Sequence, residues 1–253
     1  MLVLLGAMKE EIADLQDGMD IEETFKEQSI HIYRGKYGNQ DVILAQTGIG
    51  RKQAEKTTEI ILNKYPVRAI VNFGFAGALA DGLNIGDVAV CSTLHSENKH
   101  GAEDLEQYGL FYSDSGLVAI AEHNHSEGRA DIPQFSNVTV DSPVCQPAAK
   151  LEMGKAYSAQ MVDMESYWIA KIAAASNIPF LSISVVSDTV HDKLPDFDRF
   201  LDSDNLHIGK ALVHFLTHPL QLKYLFHFYR NSRRARKSLS SYMDTLIPAL
   251  QSI

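Results

Sequence analysis

Residues Phe180–Val186 (FLSISVV) constrain the fold of this chain more than any other stretch. They are apolar or small, rich in β-branched side chains, preceded by Asn177–Pro179 and followed by Ser187-Asp188. A continuous apolar run this short, bounded by breakers, is read as a parallel strand buried on both faces. Ligands of such sheets bind at the carboxyl ends of the strands, which puts the Asp188 carboxylate at a candidate rim. The segment just before it, within 161–178, is read as a helix carrying Ile169, Ile172, Ala173 and Ser176 on one face. Glu165 falls on that same face, four residues before Ile169. An inward carboxylate is costly unless it meets a partner or a ligand. The plainer alternatives are a helix-dipole contact for Glu165 and a turn-capping role for Asp188.

From the N-terminus, Leu2–Leu5 is read as a short buried strand with Gly6 as its turn. The following helix presents Met8, Glu11, Ile12, Leu15 and Met19 on one face, making Glu11 a third inward acid at a strand-to-helix junction. His31–Tyr37 and Asp41–Thr47 are paired strands around Gly38-Asn39. Thr47-Gly48-Ile49-Gly50 leads into a helix from Arg51 to Lys64, ended by Pro66. Arg68–Phe73 is a strand that runs into Gly74-Phe75-Ala76-Gly77, read as a turn close to a phosphate or ribose, or as a plain tight turn. Neither glycine turn is a P-loop or a dinucleotide fingerprint. Asp87–Cys91 and Phe135–Val140 are further strands, the second leaving through Asp141-Ser142-Pro143-Val144. Pro147–Lys155 is a helix and Ala159–Val162 a short strand. Residues 95–131 are read as a solvated polar loop, in which His123-Asn124-His125 lacks the third ligand a metal site needs. Strands alternating with helices imply an α/β domain with a parallel or mixed sheet.

The 253 residues carry a formal net charge of -9, which argues against a nucleic-acid-binding protein. Cys91 and Cys145 have no metal-ligand spacing around them, so a reducing, cytoplasmic setting is expected and no disulfide framework. No signal peptide or transmembrane run is read. The C-terminal stretch Pro219–Lys237 (PLQLKYLFHFYRNSRRARK) joins apolar and aromatic residues to a dense basic run. A basic amphipathic helix of this kind lies on an anionic membrane surface, or packs on the domain with its basic end solvated.

Five motifs in order, Gly6-Ala7-Met8-Lys9-Glu10-Glu11, Thr47-Gly48-Ile49-Gly50, Asn72-Phe73-Gly74-Phe75-Ala76-Gly77, Val162-Asp163-Met164-Glu165 and Val186-Ser187-Asp188, resemble the purine nucleoside phosphorylase and methylthioadenosine/S-adenosylhomocysteine nucleosidase superfamily. The resemblance covers about residues 1–215. It implies a central mixed, partly barrel-like β-sheet flanked by helices, no metal or cofactor, and a homodimer or larger homo-oligomer. Glu11 then matches the acid that activates the attacking water, and Asp188 the acid that serves the leaving purine at N7. Met164 and Glu165 match the pair against the ribose, and Gly74, Phe75, Ala76, Val144, Val162, Asp163 and Ser187 join them in the substrate-binding set. Breaking an N-glycosidic bond builds positive charge on the ribose and negative charge on the base, so carboxylates at one end and an acid at the other make chemical sense.

Phe75 stands where phosphorolytic relatives use a hydroxyl to hold phosphate, which favours water as nucleophile, although Arg51 could compensate. Asp163 replaces the usual glutamate, and the D-S-P-V loop lacks the usual aromatic residue. These departures, with the extended C-terminus, resemble the hopanoid-associated phosphorylase-like branch, to which removal of adenine from adenosylhopane is assigned. The expected organisation is a nucleosidase-like domain over residues 1–217 and a basic amphipathic helical extension over 218–253, the latter a candidate peripheral contact at the inner membrane face. A methylthioadenosine/S-adenosylhomocysteine nucleosidase and a phosphate-dependent phosphorylase remain alternatives. Two other classes compete: a serine hydrolase built on Ser187, Asp188 and His191, and a nucleoside-binding sensor without turnover.

Overall fold

The computed structural model describes residues 1–27, 30–97, 109–124, 132–195, 201–202, 205–206 and 219–252. Its strands are β1 (Leu2–Gly6), β2 (Asp20–Glu27), β3 (Ile30–Tyr37), β4 (Gln40–Gln46), β5 (Ala69–Ala78), β6 (Val88–Ser96), β7 (Phe111–Tyr112), β8 (Gln134–Thr139), β9 (Met161–Asp163) and β10 (Phe180–Asp188), with a separate pair β11 (Leu201–Asp202) and β12 (Asn205–Leu206). The helices are α1 (Lys9–Asp17), α2 (Arg51–Lys64), α3 (Ser115–His123), α4 (Pro147–Tyr157), α5 (Ser166–Ala175) and α6 (Pro219–Ala249).

The central sheet runs β10-β6-β8-β9-β5-β1-β4-β3-β2, and β10 also pairs with β5. That extra pairing closes β10, β6, β8, β9 and β5 into a barrel, from which β1, β4, β3 and β2 extend as a wing. The sheet is mixed: β1 is parallel to β4 and β5, and β10 is parallel to β5 but antiparallel to β6. Every residue of β10 is buried, as its apolar run requires.

Side-chain alternation builds a core on each face. Leu2, Leu4, Val42, Leu44, Val71, Phe73, Leu181 and Ile183 face one side, with α1 and α6. Val3, Leu5, Ile43, Ala45, Ile70 and Phe180 face the other, with α2 and α5. A smaller cluster of Leu79, Val138, Val140, Ala159 and Val162 lies within the barrel end.

Two expectations change, and one strand is new. Asp20–Glu27 is a strand on the edge of the wing, where its charged residues meet water, and its weak apolar alternation hid it. Gly74-Phe75-Ala76-Gly77 is not a turn: β5 runs straight through it. Part of 95–131 is not loop, because Asp114 caps α3 by accepting from the amides of Gly116 and Leu117, and α3 buries Leu117, Val118 and Ala121. His125 lies outside the described residues; His123 Nδ1 meets the carbonyl of Ala119, 2.8 Å away in its own helix.

The long helix α6 carries two stripes at helical spacing. Asn231, Ala235, Leu239, Tyr242, Met243, Leu246 and Ile247 are buried, mostly within the same core as β1 and β10. Arg236 Nε donates to Asp14 of α1 at 2.8 Å, and the Tyr242 hydroxyl donates to the Ala121 carbonyl at 2.7 Å. The opposite stripe, Phe226, Tyr229, Arg230, Arg233, Arg234 and Lys237, lines a groove on the outside. The expected boundary between residues 217 and 218 and the side chains of residues 219–223, Leu220, Leu222 and Lys223 among them, lie outside the described ones.

Candidate active site

The site begins where β5 changes neighbours. Ala69–Asn72 pair with β1, whereas Gly77 and Ala78 pair with β9. The gap that opens between them is a cavity of about 230 Å³, room for several water molecules or a small planar ligand. Its walls come from the loop after β1 (Ala7, Met8), from Glu11, Ile49, Phe75, Ala76 and Gly77, and from Val140, Pro143 and Val144 after β8. Val162–Glu165, Ser187, Asp188, Leu194 and Phe228 complete it. All the residues expected at the site line this cavity except Gly74, which lies behind Glu11.

Two glycines of β5 make room for two acids. A Cβ on Gly74 would fall 2.7 Å from Glu11 Oε1, and a Cβ on Gly77 would fall 2.9 Å from Asp188 Oδ2. Each glycine therefore makes room for a side chain of the protein itself. Glu11, 6% exposed, is held at both oxygens: the Phe75 amide donates to Oε1 and the Met8 amide to Oε2, each at 2.8 Å. The second contact is half of a capping box at the start of α1. Burial outweighs these two amides and pushes its pKa up to about 7. The unfolded chain ionises first, so the native state loses stability, on the order of 3 kcal/mol, as pH rises from about 4.5 through 7.

Glu165 occupies the N-cap position of α5 without capping it by its side chain, whose Oε1 instead accepts from the Gly50 amide at 2.7 Å; Gly48 and Gly50, with φ of 86° and 85°, shape the turn that aims that amide. Desolvation, then the nearby Asp163, hold its pKa well above the carboxylate range. Asp163 is raised by burial, and its oxygens meet Thr139 Oγ1 at 2.6 Å and the Ser166 amide at 3.3 Å, which pins the start of α5.

Asp188, 4% exposed, ends β10. Ser187 Oγ donates to its Oδ1 at 2.7 Å, and Lys150 Nζ donates to Oδ2 at 2.5 Å. The sequence held no signal for Lys150, which sits among Ala148, Ala149 and Leu151 in a helix of no clear apolar face. Phe228 and Leu194 were also missed, because the contacts that bring them to the cavity are long-range.

The serine-hydrolase arrangement does not form. His191 is 71% exposed at its side chain and its Nε2 meets Asp81 at 2.7 Å, while Ser187 is turned to Asp188. Arg51 is engaged by Glu55 at 3.0 Å and lies over the Trp168 ring at 4.0 Å, away from the cavity lining. Among the described residues, no group of three or more metal-ligating side chains is found.

The family model described as "Phosphorylase superfamily" matches residues 1–217. The 5'-methylthioadenosine/S-adenosylhomocysteine nucleosidase of Shewanella piezotolerans is 30% identical over 224 residues, covering 83% of this chain and 96% of that protein. The enzyme of the same name from Bacillus cereus (strain B4264) is 29% identical over 84% of this chain and 96% of its own length. Among solved structures, the corresponding nucleosidase of Neisseria meningitidis, in complex with methylthio-immucillin-A, superimposes with a TM-score of 0.76 at 22% identity, covering 97% of each chain. Futalosine hydrolase of Helicobacter pylori strain 26695 gives a TM-score of 0.77 at 17% identity, over 98% of this chain and 97% of that one. At these identities the structures establish the fold.

The glycine argument is testable through stability alone. Gly77→Ala should cost about 1–3 kcal/mol, because the new methyl meets a carboxylate fixed by Lys150 and Ser187 and the Val162 side chain 3.1 Å away. Gly109→Ala, with nothing within 4 Å of its Cβ, should stay within about 0.5 kcal/mol of the parent. Urea unfolding midpoints compare the two; equal midpoints would show that Gly77 makes no room for Asp188.

Proposed function

The chain belongs to the phosphorylase superfamily, and on that footing we propose that it is a hydrolytic nucleosidase. It cleaves the N-glycosidic bond of a 5′-substituted adenosine with water as nucleophile and releases adenine. One observation carries this: Glu11 and Asp188 line one cavity, the first with a pKa near 7 and the second at a strand end with both oxygens fixed. A base is most effective when its pKa lies near the working pH. Glu11 therefore takes the proton of the attacking water. Positive charge that builds on the ribose faces Glu165 and Glu11, with Met164 against the sugar, and Asp188 serves the departing base at N7.

Water rather than phosphate is supported by the cavity lining. Among the described residues that line it there is no Arg or Lys, and Phe75 puts a ring where an anion would need a donor. Assaying adenine release from 5′-methylthioadenosine in phosphate-free buffer tests the proposal. Adenine should appear, and both Glu11→Gln and Asp188→Asn should lower kcat by about 10²-fold or more while leaving adenine binding. Strict dependence on phosphate, or binding without turnover across such substrates, would overturn it, the latter in favour of a nucleoside sensor.

Two substrates fit this chemistry. The similarity to methylthioadenosine/S-adenosylhomocysteine nucleosidases supports a small thioether nucleoside. The last helix supports a lipid-linked one such as adenosylhopane: it sends Phe228 to the cavity while turning Phe226 and Tyr229, 69% and 60% exposed, outward beside Arg230, Arg233, Arg234 and Lys237. We favour a cytoplasmic homodimer that touches the inner membrane face through this stripe. No helix among the described residues is long and apolar enough to cross a membrane. Each basic residue near an anionic surface contributes about 1 kcal/mol, screened by salt. The protein should therefore co-sediment with phosphatidylglycerol vesicles at low salt, release at high salt, and lose binding in Arg233→Glu/Arg234→Glu. Indifference to vesicles would leave the small thioether nucleosides as the substrates.

A further inference from the structure

Lys150 is the one buried residue of α4, and its side chain is 0% exposed. Besides Asp188 Oδ2, its Nζ donates to the carbonyls of Thr189 at 2.8 Å and Asp192 at 3.1 Å. All three ammonium hydrogens are thus engaged. A buried ion pair is a poor source of stability, since apolar replacements of similar volume are often neutral or better. A fully buried lysine against a site carboxylate therefore asks for a chemical role.

The other ionisable groups near it leave that role to Lys150. Asp192 is occupied by the Thr189 amide and hydroxyl, each at 2.8 Å, and faces His227 Nε2 at 3.3 Å. Glu11, Asp163 and Glu165 stand on other walls of the cavity. Among the described residues, Lys150 is the cation paired with a carboxylate of the cavity. In the hydrogen bond between them the lysine is the donor and the carboxylate the acceptor.

We propose that Lys150 is a positioning residue for departure of the base: it holds Asp188 in place and stores the proton that Asp188 hands over. This rests on the nucleosidase reading above. When substrate is bound, a proton passes from Nζ along this hydrogen bond to the Asp188 carboxylate, leaving a neutral amine and a carboxylic acid. The C1′–N9 bond then breaks, its electron pair goes to the base, and the carboxyl proton goes to the base nitrogen. Water supplies hydroxide to C1′. Its other proton, taken by Glu11, returns through solvent to the lysine after the products leave, so one water is consumed and no net charge remains.

The test compares two leaving groups, adenine from 5′-methylthioadenosine and the acidic phenol from p-nitrophenyl β-D-ribofuranoside, which departs without a proton. Lys150→Met should lower kcat for adenine release by about 10²-fold with KM nearly unchanged, and its loss on the phenyl riboside should be at least about tenfold smaller. Combined with Asp188→Asn it should add little, because the two residues act as a unit. Lys150→Arg keeps the charge and the donors but does not surrender a proton, so it should fold and still lose about tenfold or more on adenine. That variant carries the test if Lys150→Met fails to fold. Equal losses on both leaving groups, additive losses with Asp188→Asn, or an Arg variant near wild-type rate would each overturn the proton store. A wild-type protein that releases no adenine overturns the nucleosidase reading and this one together; an active wild type with Lys150→Met within about threefold overturns this one alone.

Discussion

Between Asn72 and Gly77, strand β5 leaves β1 and takes up β9, while β10 stays hydrogen-bonded beside it. A strand can exchange one neighbour for another only if backbone and side chains in the gap are accommodated. Here the gap is lined by a main chain with two residues lacking a Cβ. Into those two spaces go the carboxylates of Glu11 and Asp188. One feature thus opens the barrel, creates the cavity, and fixes the two acids on either side of it. The amide of Phe75, between the glycines, supplies one of the two donors that orient Glu11.

The electrostatics follow from the same enclosure. Four carboxylates, Glu11, Asp163, Glu165 and Asp188, reach the cavity. Burial raises the first three, each being met by amides or hydroxyls but by no cation among the described residues. Among the described residues, Asp188 alone of the four meets an ammonium. The cavity therefore separates its acids by environment, with three raised carboxyls and one that is ion-paired. Such divergence is what acid and base roles at a single bond require.

Much of this is legible in the sequence because it is local. The run FLSISVV could be little other than a buried strand, and the acid at its end follows from where such strands present ligands. Glu11 and Glu165 show themselves as carboxylates on apolar helix faces. The strand β2 escapes because an edge strand of alternating charge has no apolar pattern to read. The glycines of β5 are conspicuous but suggest a turn, since nothing local says that a strand continues through G-F-A-G when its neighbours change. Lys150, Leu194 and Phe228 reach the site through contacts distant in sequence, 38 residues apart for Lys150 and Asp188, and periodicity carries no such information. The C-terminal segment reads as apolar followed by basic; on the helix, Phe226 and Tyr229 instead share a stripe with the arginines, and a second stripe is buried in the core.

Glu11, the proposed base, has its pKa raised to about 7 by burial and must lose its proton before water can attack. The pH dependence of kcat/KM for adenine release reports that proton in the free enzyme. With its pKa raised to about 7, the rate constant should climb roughly tenfold per pH unit below that value and level off above it, and Glu11→Gln should lose the limb along with the activity. A wild-type profile that stays flat from about pH 5 to 8, or a limb that survives in Glu11→Gln, would contradict the assignment of Glu11 as the base.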